Sequence, residues 1–292
     1  MTTIDAIHHT GILTRDLDGI AARYTDFGFT LSPRSRHQLS AGPGEPLVES
    51  STANQCALFG GSYIELLGVV SETAPDPWHA RAMADQYEGL RILNLETDDA
   101  DAAQRRLTEA GLPASGVLEL ERDVDTEEGV RTMRARTVHI DPRTTREALL
   151  GVSQHMTREY VHQPRYLTHR NGARGITAVL IVAADDEFDA IVDRYRRIVE
   201  VNPERVNPRT VLKLPTAQLE FLRASEVEEF LPGEPAPAPS YLAAMTIAVD
   251  DITAARGIVD GAGVETVDTA HGFFVSARDA YGSGLFFVPA AG

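Results

Sequence analysis

The sequence predicts an α+β protein built from four β-α-β-β-β modules that pair into two curved mixed sheets. Three observations carry this reading. A short amphipathic helix motif occurs four times, as LDGIAARYTDFGF at 17–29, ADAAQRRLTEAGL at 100–112, FDAIVDRYRRIVE at 188–200 and ITAARGIVDGAGV at 252–264. Its apolar and alanine positions recur at helical spacing. Each copy follows a β-like segment that ends in acidic or polar residues: IHHTGILTRD, LRILNLETDD, ITAVLIVAADD and LAAMTIAVDD. Each is followed by further strand-like segments. A unit repeated in this way signals duplication, and the repeat fixes which residues are equivalent between modules.

Taken in order, the first helix is followed by strand-like segments at Gln55–Phe59 and Ser62–Val70, and the second by Val117–Val124, Val130–Ile140 and Ala148–Gln154. The third precedes Thr210–Leu214 and Gln218–Leu222, and the fourth Glu265–Val267, Gly272–Ser276 and Leu285–Val288. The second strand is weakest in the first and third modules. Two helices end in a glycine suited to a left-handed cap, in TEAG and DGAG. The insertion QLSAGPGEPLVES at 38–50 reads as a mobile loop, being rich in Gly, Pro and Ser. Residues 71–84 read as a linker, 156–173 as a polar connection between the halves, and PGEPAPAPS at 232–240 as an extended spacer. The modules fall at 1–84, 85–165, 166–236 and 237–292, giving an N-terminal domain 1–165 and a C-terminal domain 166–292. A single module leaves a sheet face that it cannot bury alone. Pairing two modules gives a curved sheet with helices outside and a concavity inside, where small-molecule sites are favoured.

Composition limits the function classes. With 292 residues, 43% of them hydrophobic, the chain has material for real cores. A net charge of −16 argues against nucleic acid and anionic membrane surfaces as partners. Cys56 is the only cysteine, which excludes an intramolecular disulfide and a Cys-type zinc site. The N-terminus lacks the pattern of a signal peptide and no apolar run reaches membrane-span length, so a cytoplasmic location is expected. No P-loop, GxGxxG, HExxH, GxSxG or CxxC pattern occurs.

The first module reads IDAIHHTGILTRDLDGIAARYTDFGFTLSPRSRH, followed by STANQCALFGGSYIELLGV. An initial strand with a His, an acidic helix start, a Tyr, a Gly-Phe at the helix end and a last strand bearing Glu fall on His9, Asp16 to Asp18, Tyr24, Gly28–Phe29 and Glu65. In this the chain resembles the vicinal oxygen chelate superfamily, and within it the glyoxalase-like branch. The segment SQHMTREYVHQPRYLTHRNGARGI at 153–176 resembles the connecting segment of that branch. The resemblance implies that the strands bearing His9 and Glu65 are neighbours in a curved sheet and that both side chains point inward. It does not choose a reaction, since one scaffold there serves lyases, isomerases, dioxygenases and binding proteins.

Glu65 stands among Tyr, Ile and Leu on a half-buried strand, where a charge needs a partner or a metal. His9 supplies a neutral nitrogen. Strand alternation sends His8 to the opposite face, and alternation alone does not say which of the two faces the cavity. The counterpart of the Glu65 strand in the second module ends at His155. His9, Glu65 and His155 would form a two-histidine, one-carboxylate set for a divalent metal (Fe, Mn, Zn, Ni or Mg). Arg36 and His37 precede the long insertion and are expected at the cavity mouth, facing an anionic or carbonyl group. Asn54, Tyr63 and Gln154 are further substrate-side candidates. Glu220 occupies the Glu65 position of the third module, but no histidine faces it. It is expected to be ion-paired or hydrogen-bonded, and the C-terminal half to be structural.

These residues lead to a metal-dependent enzyme acting on a small oxygenated substrate by chelation and proton transfer, of lyase or isomerase type. An Fe(II) extradiol-type dioxygenase and a non-catalytic small-molecule binding or resistance protein are the alternatives. The expected partner is a small-molecule substrate, with no nucleic acid and no membrane, and a homodimer is allowed.

Overall fold

The structure, a computed structural model, describes residues 3–290. The first module comprises β1 (Ile7–Thr14), α1 (Leu17–Asp26), β2 (Ser35–Leu39), β3 (Val48–Leu58) and β4 (Tyr63–Val69). After α2 (Ala80–Gln86) come β5 (Gly89–Glu96), α3 (Ala100–Glu109), β6 (Ala114–Thr126), β7 (Gly129–Ile140) and β8 (Leu149–His155). A short helix α4 (Arg158–Val161) and a 3-10 turn lead to β9 (Ala173–Ala183), α5 (Phe188–Val199), β10 (Glu204–Val206), β11 (Arg209–Lys213) and β12 (Gln218–Arg223). Then α6 (Val227–Phe230) precedes β13 (Tyr241–Val249), α7 (Ile252–Gly261), β14 (Thr266–Thr269), β15 (Gly272–Val275) and β16 (Gly284–Pro289). Among the described residues no helix is long and apolar enough to cross a membrane.

The four predicted helices are α1, α3, α5 and α7. The acidic residues that close the preceding strands explain where three of them start. Asp16 accepts from the Gly19 amide, Asp99 from Ala102, and Asp251 from Thr253 and Ala254. Each satisfies amides that the first turn leaves without partners. Gly111 and Gly263 take positive φ just past α3 and α7, as TEAG and DGAG foretold; after α5 the non-glycine Glu200 adopts that conformation.

Within every module the first and last strands are parallel neighbours: β1 with β4, β5 with β8, β9 with β12, β13 with β16. Modules join antiparallel, through β1–β5 and β9–β13. The two halves then differ. In the C-terminal half the order β10-β11-β12-β9-β13-β16-β15-β14 leaves an open sheet, whereas the N-terminal half closes into an eight-stranded barrel. Closure comes from β2 meeting β6, with Gln38 opposite Glu121 and Leu39 opposite Leu120. The reason is length. Strands β6 and β7 run for 13 and 12 residues and reach across the concavity, while β10 and β14 have only three and four.

The insertion at 38–50 is a correction to the sequence reading. Strand β2 continues to Leu39 and β3 begins at Val48, so only 40–47 is loop. Ser50, Ser51, Thr52 and Asn54 are buried on β3. The interior they help to line is polar, which erases the apolar alternation that marks a strand. The linker 71–84 likewise runs into α2, and 156–173 contains α4.

The largest apolar core lies outside the barrel, where the helices pack on both sheets; Tyr24, Phe27, Phe59, Leu93, Val179, Tyr195, Phe221 and Phe287 belong to it. The two sheets share this core, and Tyr281 donates to Asp16 at 2.8 Å across them. The barrel interior carries two smaller apolar clusters. One contains Leu13, Leu67, Val69, Ala84, Ile92 and Leu149, the other Cys56, Leu58, Tyr63, Met133 and Ala135. The polar side chains that form the site share the interior with them.

Candidate functional site in the N-terminal barrel

A cavity of about 70 Å³ inside the barrel is lined by His8, His9, His37, Asn54, Tyr63, Glu65, Asn94, Arg122, His139 and His155, among others. Five strands supply the residues around its carboxylate. His9 comes from β1, His37 from β2, Asn54 from β3, Glu65 from β4 and Asn94 from β5. Along β2 the burial pattern of SRHQL alternates strictly, with Ser35, His37 and Leu39 inside.

The donors converge on Glu65. His9 Nε2 lies 3.7 Å from Oε2, and His37 Nε2 lies 3.6 Å from Oε1. Asn54 Nδ2 donates to Oε1 at 2.6 Å. A second contact on each imidazole sets the tautomer. His37 Nδ1 is 3.0 Å from Thr52 Oγ1, which leaves Nε2 free to offer a lone pair once Nδ1 donates. Asn94 Nδ2 donates to His9 Nε2 at 3.1 Å, and Asn94 Oδ1 accepts from Ser153 at 3.0 Å. His9 Nε2 is therefore an acceptor, and Nδ1 carries the proton toward His8 Nδ1 at 2.7 Å.

Burial controls the charge states. His9 and His37 are each pushed down to about 3, first by loss of water and then by the charges of Arg122 and a neighbouring histidine. Both rings are neutral at physiological pH. Burial raises the Glu65 carboxyl, opposed by the Asn54 hydrogen bond and then by the Arg122 charge.

His8 does not leave the cavity as simple alternation predicts. The β1–β5 register shifts between Ile7 and His9, and this irregularity brings both histidines to the lining. His155 sits behind this pair. Its ring stacks on His8 at 4.5 Å between centroids, and both of its nitrogens are buried without a hydrogen-bond partner. Tyr63 stacks on His9 at 4.6 Å. Gln154 points elsewhere and accepts from the Ala100 amide at the start of α3. Arg36 is exposed, donates to the Ser50 carbonyl and lines an outer groove. His37 is 4% exposed and belongs to the interior, not to a mouth.

The equivalent of Glu65 in the other sheet behaves differently. Glu220 is paired with Arg209 at 2.6 Å and accepts from Gln218 at 2.6 Å. It has a cation and no imidazole.

Sequence reasoning passed over Arg122 and Asn94. For Arg122 a signal existed. In LELERDVD the residues Leu118, Leu120, Arg122 and Val124 share one parity, and the acidic Glu119, Glu121, Asp123 and Asp125 share the other. An arginine in the apolar phase of a strand is an inward charge. Asn94 carried no comparable mark.

Comparison with known proteins places this fold. A family model described as a glyoxalase-like domain matches residues 7–199, more than half of the chain. The chain belongs to the glyoxalase-like domain family. No curated protein matches it. Among solved structures it is similar to a hypothetical protein from Staphylococcus aureus, with a TM-score of 0.68 and 14% identity over 99% of this chain and 100% of that one. It is also similar to a xylose isomerase-like TIM barrel/4-hydroxyphenylpyruvate dioxygenase fusion protein, with a TM-score of 0.57 and 14% identity over 91% of this chain and 40% of that one. A mutant 4-hydroxymandelate synthase from Streptomyces coelicolor gives a TM-score of 0.57 and 12% identity over 99% and 95%. At these identities the likeness establishes the vicinal oxygen chelate fold expected from the sequence.

The family fold implies a divalent metal, and the donor chemistry can be tested against one. Among the described residues no group of three or more His, Cys, Asp or Glu side chains is placed to hold a metal ion. His9, His37 and Glu65 are the residues that would hold one. Donors on two sides of one ion, each bonded at ~2.1 Å, lie roughly 3–4 Å apart, and His9 and His37 stand at that span from Glu65. Both rings are neutral. His37 has its far nitrogen held by Thr52, as metal-binding imidazoles do, whereas the His9 Nε2 lone pair accepts from Asn94 Nδ2 and is open to an ion only when that amide turns away.

Proposed function

We propose that the chain is a metal-dependent enzyme that acts on a small oxygenated organic substrate by chelation and proton transfer, as a lyase or isomerase. The single observation that carries this is the approach of two neutral imidazole nitrogens, His9 Nε2 and His37 Nε2, to the two oxygens of one buried carboxylate. His9, His37 and Glu65 would hold the ion; in this proposal His37 takes the third place expected of His155. When bound, the ion supplies Lewis acidity to two neighbouring substrate oxygens and stabilises negative charge developing there.

The remaining work belongs to the chain's own side chains. Burial raises the Glu65 carboxyl, the direction that strengthens its carboxylate as a base toward a carbon-bound proton. The Asn54 amide fixes Oε1, which leaves Oε2 as the freer oxygen. Asn94, Ser153 and Thr137 form a hydrogen-bonded chain that orients His9. The apolar clusters keep bulk water from the site.

The two-histidine, one-carboxylate donor set also supports an Fe(II) dioxygenase as a second reading. The test is a titration of metal-free protein with Mn, Ni, Zn and Fe(II), followed by two assays on the loaded protein. Exchange of carbon-bound protons of hydroxyacetone into deuterated water supports the first reading. Substrate-dependent oxygen uptake with Fe(II) supports the second. Protein that takes up no divalent ion would leave a small-molecule binding protein instead.

A further inference from the structure

Two arginines among the described residues are buried, and they are treated differently. Arg91 is 4% exposed and donates to the carbonyls of Met83 and Tyr87 and to the Gln86 side chain. Arg122 is 3% exposed, and its side chain makes no hydrogen bond or ion pair within 4.0 Å with any described residue. Its neighbours on the β6–β7 hairpin are paired: Arg131 with Glu128, Arg134 with Glu121, and Arg136 with Asp101. On the inward face of β6, Arg122 is flanked by Leu120 and Val124 and stands opposite Met133 of β7. A guanidinium cannot shed its proton to escape this setting. Burial without a partner in the chain is costly for a guanidinium, and Arg122 lies where the cavity and the groove give a partner from outside access to it.

Arg122 lines the barrel cavity and also the groove of about 370 Å³ outside the same strands. Its charge is felt by His9, His37 and Glu65. With an ion on those three residues, the site would hold two positive centres against one carboxylate. An anionic ligand balances that charge.

We propose that Arg122 is the recognition residue for the carboxylate of a small organic acid, bound in the barrel with its carboxylate toward the groove and its remaining atoms toward Glu65. The planar fork of a guanidinium matches a carboxylate in two parallel hydrogen bonds. The small cavity suits a compact acid. This assignment deepens the enzyme reading above and rests on it for what happens to the acid once bound. It also moves the anion contact expected of Arg36 to a residue on another strand.

The test is calorimetric binding of propionate, with propionamide and inorganic phosphate as comparators, to metal-free and metal-loaded protein. Propionate should bind the wild type and weaken at least tenfold in Arg122→Met and Arg122→Gln, and propionamide should bind no better than those variants do. Arg122→Met removes an unpaired buried charge, so without ligand it should melt at or above the wild-type temperature. If it fails to fold, Arg122→Lys carries the comparison, because it keeps the charge but loses the fork and should weaken propionate binding severalfold. Propionate binding unchanged in the folded variants, propionamide binding equal to propionate, or phosphate binding more tightly than propionate would each overturn the assignment. Ion uptake is measured in parallel. Arg122-dependent propionate binding without any divalent ion would remove the metal-enzyme reading and keep this one. Ion uptake with propionate binding indifferent to Arg122 would do the reverse.

Discussion

At the scale of single residues, the contrast between Glu65 and Glu220 separates a site from a structural pair. Both are buried carboxylates on the last strand of a module. Glu220 is neutralised by Arg209 at 2.6 Å, while Glu65 meets two imidazoles and an amide. Glu220→Gln should therefore leave ion binding unchanged and lower stability by about 1–3 kcal/mol, because Arg209 loses its partner; chemical denaturation and ion titration on the same variant check both halves. His37→Ala should keep the fold and weaken ion affinity more than tenfold, and an unchanged affinity would remove His37 from the set. Glu65 stood out in the sequence because a charge among Tyr, Ile and Leu needs a reason, and His9 stood out through the family resemblance of its strand. The place of His37 was not readable, because the stretch after it looked like a loop and its strand partner on β3 is a run of Ser, Thr and Asn. Arg122 was readable only through strand parity.

At the scale of elements, the helices were the legible part. Their apolar period and their Asp caps are local properties that no tertiary contact has to supply. Asp99→Ala should cost about 1 kcal/mol by freeing the Ala102 amide, read as a shift in the urea midpoint. Helix α1 sits close on β4, where a Cβ added at Gly68 would lie 2.6 Å from Leu17 Cβ. Gly68→Ala should then destabilise by about 1–3 kcal/mol through overpacking, and a neutral result would mean that α1 can lift off the sheet freely. Strand β2 and the start of β3 escaped the sequence reading for a physical reason. A strand facing a polar interior shows no apolar alternation.

At the scale of the whole molecule, duplication produced two unlike sheets. The repeat predicted the shared module, and the resemblance implied that the strands of His9 and Glu65 are neighbours, as β1 and β4 are. The repeat did not predict closure, which depends on the length of the β6–β7 hairpin and not on any module's pattern. Closure buries histidines as well as the carboxylate, and this has a consequence for acid stability. Burial holds His139 and His162 each at about 4, below the ordinary 6.5. Between pH 6.5 and 4 the unfolded chain takes up protons that the folded one refuses. Stability present above pH 6.5 is thus lost as pH falls, by about 1.4 kcal/mol per pH unit for each such ring. Glu65 acts in the opposite sense, since its folded form takes up a proton first; its contribution favours the folded state most at low pH and fades as pH rises past 4.5. The histidines outnumber it, so the urea midpoint should fall steadily from pH 7 to pH 5, and a flat midpoint would mean that these rings are not held neutral.

The account turns on an ion bound by one half of a duplicated molecule. Its most direct test is a Co(II) titration of metal-free wild-type, Glu65→Gln and Glu220→Gln protein, followed by visible absorption and elemental analysis. One Co(II) per chain is predicted for the wild type and for Glu220→Gln, with a visible spectrum shaped by two nitrogen donors, and none is predicted for Glu65→Gln. A wild type that takes up no ion, or a Glu65→Gln protein that binds it as well as the wild type, would contradict the claim.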